Sequence, residues 1–263
     1  MSPTKYTARI YRLFSIAVAL LWLAGCATFE NHKGEKFPIS LSLITNQTAA
    51  PSIIISHGGS CRLRQEDDWA QRFKAWGYNA IIIDHCTGRG IAPHTGVEPP
   101  PLPSRDRVND YIAVAEWVKT QTWHSGKVAV FGISRGGEAV LRAADSKFRQ
   151  VRRGDAGLAE LDVLVALYPA CSYVPRAPRI PLLILHGEAD NLAVFSTCEY
   201  SGIKHDNLIL KTYPDTYHGF EVPGPDITGS NRYLGTYISR RYNAESAAQS
   251  FVDTRAFLEK YLR

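Results

Sequence analysis

Five uninterrupted apolar runs restrict this chain more than any other feature. They are Ser52-Ile-Ile-Ile-Ser56, Ala80-Ile-Ile-Ile-Asp84, Val128-Ala-Val-Phe131, Val163-Leu-Val-Ala-Leu167 and Leu182-Leu-Ile-Leu185. None alternates apolar with polar, so each reads as a strand buried on both faces, the condition of a parallel sheet covered on both sides. Leu208–Tyr213 is a further strand candidate, and Ile39–Leu43 fits an antiparallel leader strand. Helical patterns lie between the runs. Asp68–Trp76 puts Trp69, Phe73 and Trp76 on one face, and Ser104–Gln121 opens with a Ser cap and repeats Val108, Ile112, Ala115 and Val118. Ser134–Asp145 follows directly on a strand, and Asn243–Leu262 carries Ala247, Phe251, Leu258 and Leu262. Strand–helix alternation of this kind predicts one α/β domain over 38–263, with a mostly parallel central sheet and helices on both faces. Two loops break the rhythm: Ile91–Pro103, with five prolines, and the Gly/Pro/aromatic-rich Pro223–Arg241. Both are expected to rim a pocket.

The chain ahead of this domain has a different character. Residues 1–12 are polar and basic, and Leu13–Gly25 is an uncharged apolar run too short for a bilayer core. That order reads as a secretory signal over 1–25. The run ends in Leu23-Ala24-Gly25-Cys26, which resembles the lipobox of bacterial lipoproteins and implies lipidation at Cys26. Residues 26–37 then read as a polar tether, and the protein is expected on the bacterial cell envelope, held by its lipid anchor, where Ala27 after the cysteine, by the resemblance to lipoproteins, favours the outer membrane or the periplasmic face. The formal charge is +5, of which Lys5, Arg9 and Arg12 belong to the leader. So small a remainder leaves no footprint for nucleic acid. Nothing in the sequence sets an oligomeric state.

Export also permits disulfides among the four remaining cysteines. Four cysteines allow three pairings. Cys61 and Cys86 fall just beyond two strands expected to be adjacent, and Cys171 and Cys198 flank another adjacent strand at the same sheet end. The expected pairs are therefore Cys61–Cys86 and Cys171–Cys198. No C-x-x-C pair is present, so no Cys-based metal site is expected.

The strongest chemical motif is Gly132-Ile133-Ser134-Arg135-Gly136-Gly137. It follows a strand and opens a helix, the context a nucleophile elbow requires. A serine alcohol needs a base to take its proton and a carboxylate to orient that base. The loop after Leu182–Leu185 holds Asp190, and the loop after Leu208–Tyr213 holds His218. Both lie at strand carboxyl ends, on the edge that carries Ser134. Asp190 is thus assigned as orienting carboxylate and His218 as general base. Glu188 reads as a loop residue, Asp215 as a turn former, and His57 and His186 as loop-bracing histidines. An oxyanion hole needs two backbone donors. The expected pair is the N–H of Arg135 and that of Gly59, in a His57-Gly58-Gly59 loop that resembles the oxyanion loop of esterases.

Across the whole mature chain these residues resemble the dienelactone hydrolase family of α/β-hydrolases. The resemblance is carried by HGGSC at 57–61, WAQRFKAWGYNAIIIDHCTGRG at 69–90, KVAVFGISRGG at 127–137, ALYPAC at 166–171, PLLILHGEAD at 181–190 and YPDTYHGF at 213–220. It implies an α/β-hydrolase fold, a triad at Ser134, Asp190 and His218, no cofactor and no metal. The family's namesakes use Cys as nucleophile. Serine at 134 favours hydrolysis of carboxylic esters or lactones more broadly, with small molecules as partners. Only Tyr168–Ile180 separates two buried strands, which leaves no room for a cap domain. Arg62, Arg64, Arg89 and Arg135 could bring positive charge to the pocket and favour carboxylate-bearing esters, or could be surface and structural arginines. Thioesterases and peptidases use the same triad. A non-catalytic binding module on this fold would typically have lost a triad member or an elbow glycine, and this chain keeps all of them.

Overall fold

The computed structural model describes residues 27–31, 33–43, 49–92, 102–144, 161–175, 177–194, 198, 205–231 and 236–263. The expected signal, the expected lipidation site Cys26 and most of the proline loop lie outside the described residues. Among those described, no helix is long and apolar enough to cross a membrane.

The apolar runs become strands of a single sheet. In chain order these are β1 (Ala27–Glu30), β2 (Lys36–Ser42), β3 (Ala50–Ser56), β4 (Asn79–Ile83), β5 (His124–Ile133), β6 (Val163–Leu167), β7 (Leu182–Gly187) and β8 (Leu208–Tyr213). Their spatial order is β1-β2-β4-β3-β5-β6-β7-β8. Every pairing from β4 to β8 is parallel, while β2 runs antiparallel to both β4 and β1. Successive side chains leave a strand on opposite faces, so β3 sends Ile54 into one core and Ile53 and Ile55 into the other. Helices α2 (Ser104–Val118) and α3 (Arg135–Ala143) cover the first face. Helices α1 (Arg64–Ala75) and α4 (Ala244–Tyr261) cover the second, where Trp69, Phe73, Phe257 and Leu258 share one core with Phe131. Each fully buried Ile contributes roughly 1.5–3 kcal/mol through its transfer from water. Ile54→Ala would cost about 2–5 kcal/mol once the cavity it leaves is included.

Four expectations need correction. Residues 27–37 are not a tether, so the domain begins at β1 rather than at 38. Phe29 packs edge-on against Trp117 at 4.8 Å between centroids, and buried Asn31 donates to Asp110 at 2.7 Å. Helix α1 starts earlier than Asp68, because the Glu66 carboxylate accepts the Leu63 N–H at 2.7 Å and satisfies an end-of-helix donor. Ser104 is not the cap of α2: Pro103 holds that place, and the Ser104 hydroxyl donates to Glu138 at 2.9 Å. The 223–241 segment is more than a loop, for β9 (Ile227–Asn231) and β10 (Thr236–Arg240) pair as an antiparallel hairpin outside the main sheet.

Candidate active site

Ser134 ends β5 and caps α3 with φ 51° and ψ −110°, a conformation L-residues rarely adopt. A backbone of this kind costs on the order of 1–3 kcal/mol and persists only where the surroundings enforce it. Here the enforcement is steric. A Cβ on Gly132 would stand 2.3 Å from the Gly136 carbonyl oxygen, and one on Gly136 would stand 2.4 Å from that of Ser56. Strand and helix approach so closely that neither position accepts a side chain. The Ser134 N–H is held by the Leu167 carbonyl at 2.9 Å, which locks the turn to β6.

The loops after β7 and β8 bring the other two expected residues to this serine. His218 Nε2 lies 3.0 Å from Ser134 Oγ, and His218 Nδ1 lies 2.7 Å from Asp190 Oδ2. A carboxylate only accepts, so Nδ1 carries the proton and Nε2 is left to accept from the serine. The other carboxylate oxygen, Asp190 Oδ1, accepts the N–H groups of Leu192 and Ala193 at 2.9 and 2.8 Å. Burial by itself raises the Asp190 pKa, but the His218 partner and these hydrogen bonds outweigh it and hold the carboxyl below its ordinary range. The Tyr168 ring packs against His218 at 4.5 Å between centroids with the planes inclined by 60°, and its hydroxyl donates to buried Glu221 at 2.7 Å. Burial raises the Glu221 carboxyl, and it also pushes nearby Glu66 up to about 7.

Gly58 and Gly59 of the expected oxyanion loop line a cavity of about 280 Å³ together with Ser134 and His218. Arg135 is the first residue of α3, where the opening N–H groups have no partner within the helix. A buried polar network supports this loop from behind. His57 Nε2 accepts the His85 N–H at 3.1 Å, so its proton sits on Nδ1, which donates to the Gly58 carbonyl at 2.8 Å. The Tyr111 hydroxyl donates to Ser56 Oγ (2.7 Å), Ser56 to His85 Nε2 (2.9 Å), and His85 Nδ1 to Asp110 Oδ2 (2.6 Å). This is a second Ser-His-Asp series, and all three members are fully buried, so no substrate reaches its hydroxyl. Burial holds the His57 and His85 imidazoles well below the ordinary histidine range, hence neutral. His186 likewise braces its loop, bonded to the carbonyls of Gly187 and Pro169.

Both expected disulfides are present, Cys61–Cys86 and Cys171–Cys198. His57, Asp84 and Cys86 come within 4.8 Å of one another. The Cys86 sulfur belongs to a disulfide and both His57 nitrogens are hydrogen-bonded, so the three do not form a ligand set.

The four arginines proposed for the pocket do not line it. Arg89 binds Asp110 and Glu35, Arg62 binds Asp67, Arg135 binds Glu138, and Arg64 is 91% exposed in its side chain. The cavity instead receives Arg240 and Arg241, from β10 and just after it. Arg240 bridges to His218 along the backbone, and among the described residues it makes no ion pair. Leu63, Val222, Pro223, Pro225 and Ile227 give the cavity its apolar lining.

The sheet order, the strained elbow and the placement of the three side chains define an α/β-hydrolase, with no cap domain among the described residues. Comparison with solved structures agrees. A protein assigned as a dienelactone hydrolase from Klebsiella pneumoniae aligns at 19% identity and a TM-score of 0.65, covering 89% of this chain and 98% of that one. A serine hydrolase without a lid from Xanthomonas campestris aligns at 16% identity and a TM-score of 0.58, covering 90% and 94%. A thermophilic esterase from Thermogutta terrifontis aligns at 14% identity and a TM-score of 0.62, also covering 90% and 94%. At these identities the likeness is one of fold. The family model of the X-Pro dipeptidyl-peptidases (S15 family) matches residues 40–153, the stretch from β2 to beyond the elbow. No curated protein matches the chain.

Proposed function

We propose that this chain is a serine hydrolase cleaving carboxylic esters or lactones through an acyl-enzyme. The observation that carries the reading is the unbroken series from Ser134 Oγ through His218 to Asp190, at 3.0 and 2.7 Å, opening on one cavity. His218 Nε2 takes the Ser134 proton as the oxygen attacks the carbonyl carbon. The resulting anion lies against the N–H groups of Arg135 and Gly59, preorganised donors that stabilise charge as it forms. His218 then returns the proton to the leaving alcohol, and water repeats the sequence on the acyl-Ser134 ester. Asp190 remains ionised throughout and stabilises the imidazolium. The esterases and dienelactone hydrolases among the structural relatives support the ester reading, and Arg240 in the cavity favours acyl groups bearing a carboxylate.

The test is turnover of p-nitrophenyl acetate together with labelling by a fluorophosphonate probe. Ser134→Ala is expected to abolish labelling and to lower turnover by roughly 10⁴–10⁶. A wild-type protein that neither labels nor turns over would leave a binding module instead. The match to the S15 model favours one second reading, amide hydrolysis after proline, which release of p-nitroaniline from an Xaa-Pro-p-nitroanilide tests directly. We also infer from the sequence alone a lipid anchor at Cys26; Cys26→Ser should then release the protein from the membrane fraction.

A further inference from the structure

Arg107 lies in the first turns of α2, is 3% exposed, and among the described residues makes no ion pair. A buried guanidinium without a carboxylate is unusual, because leaving such a cation unpaired costs several kcal/mol. Its two hydrogen bonds to the main chain go to the loop beside the nucleophile: Nη1 donates to the His57 carbonyl at 2.7 Å and Nη2 to the Gly58 carbonyl at 3.2 Å, while Nη1 also lies 3.4 Å from His57 Nδ1. The His57 ring donates to the same Gly58 oxygen.

A trans peptide is planar, so its C=O and N–H point in opposite directions. Pulling the carbonyl of Gly58 toward the guanidinium therefore turns the N–H of Gly59 the other way. Gly58 packs over the nucleophile, where a Cβ would stand 3.6 Å from the Ser134 Cβ, and Gly58 and Gly59 both line the cavity. The side away from Arg107 is thus the side where the carbonyl oxygen of a bound ester must sit. The cation also lies behind the peptide whose N–H faces a developing anion, in a buried setting where charge acts strongly.

We propose that Arg107 is the positioning residue of the oxyanion loop, holding the Gly58–Gly59 peptide with its N–H toward Ser134 and setting a positive charge behind it. The proposal rests on the serine-hydrolase reading and goes beyond it, since Arg107 touches neither substrate nor triad. The Tyr111–Ser56–His85–Asp110 chain fixes the strand end before the loop, and Arg107 fixes the loop itself.

The test compares Arg107→Met and Arg107→Lys with the wild type on p-nitrophenyl acetate and on an aryl trifluoromethyl ketone, whose serine adduct carries a tetrahedral oxyanion. For Arg107→Met we expect kcat to fall about 10²–10³-fold, the scale of losing one oxyanion donor. KM should change little, and ketone affinity should fall in parallel with kcat. Arg107→Lys should recover part of both losses. A folded Arg107→Met variant with kcat within threefold of wild type, or one that loses KM while keeping ketone affinity, overturns the proposal. If neither variant folds, the wild type still decides. On ketone binding the Gly59 amide proton should move downfield with that of Arg135, and a Gly59 amide that does not move refutes the assignment. Failure of the hydrolase reading itself looks different: the wild type then forms no ketone adduct and takes no fluorophosphonate label.

Discussion

Replacing Asp190 by Asn changes one atom, and the structure dictates how the amide must sit. Oδ1 is pinned by two backbone donors, Leu192 and Ala193, at 2.9 and 2.8 Å. An amide nitrogen cannot accept those bonds, so the Asn oxygen keeps that place and its NH₂ group faces His218 across the former 2.7 Å contact. Two donors cannot share that contact. His218 must move its proton to Nε2, where it donates to Ser134 instead of accepting from it. Catalysis then requires the wrong tautomer to be undone while the imidazolium forms without its counter-charge. Together these effects are worth about 10⁴ in kcat, or about 5.4 kcal/mol of barrier. The assay is kcat for p-nitrophenyl acetate at pH 7.5, with circular dichroism to establish folding. Asp190→Ala leaves the ring free to choose its tautomer and should lose no more than the Asn variant. An Asn variant retaining a tenth of wild-type kcat would refute the argument, because it would mean that Asp190 does not govern the protonation of His218.

Three further outcomes follow from the same geometry. Burial pushes the Glu66 carboxyl up to about 7 from an ordinary 4.5, so the native protein binds the extra proton and stability falls as pH rises from 4.5 through about 7. Glu66→Gln should flatten the slope and gain on the order of 3 kcal/mol at pH 8; equal pH dependence of the urea midpoint in both proteins would count against it. The Cys61–Cys86 bond closes a 25-residue loop, worth about 3.5 kcal/mol in the chain-entropy estimate, so a double Ser variant should unfold correspondingly earlier on heating and become insensitive to reductant at that pair. Arg240→Glu should raise KM at least tenfold for a p-nitrophenyl hemi-ester of a dicarboxylic acid while leaving the acetate ester unchanged. An equal shift in both would remove Arg240 from substrate selection.

The parts of this molecule that the sequence discloses are those whose cause is local or ordered along the chain. Ser134 is legible because the glycines that permit its backbone stand two positions either side. Asp190 and His218 are legible because each follows a strand by a short loop, and the disulfides because adjacent strands end together. What stays hidden depends on distant partners. In β1 only Phe29 is a large apolar residue, and its partner Trp117 lies far along the chain. The β9–β10 hairpin has weak alternation and a glycine at 229, so Arg240 gives no sign that it will bridge to His218. His85 and Asp110 stand 25 positions apart with no motif to connect them until the fold joins them. One signal was available for Arg107. It falls four and seven positions before Tyr111 and Val114, on the buried stripe of α2, where a charge needs a reason.

The three side chains of the proposed triad come from the ends of β5, β7 and β8, and the serine and histidine are 84 positions apart. No fragment ending before β8 can assemble them, and β8 docks only on a β7 already in place. On the serine-hydrolase reading, turnover is therefore a stopwatch for refolding: after dilution from denaturant, hydrolysis cannot return before the last parallel strand has closed, whatever secondary structure has already recovered.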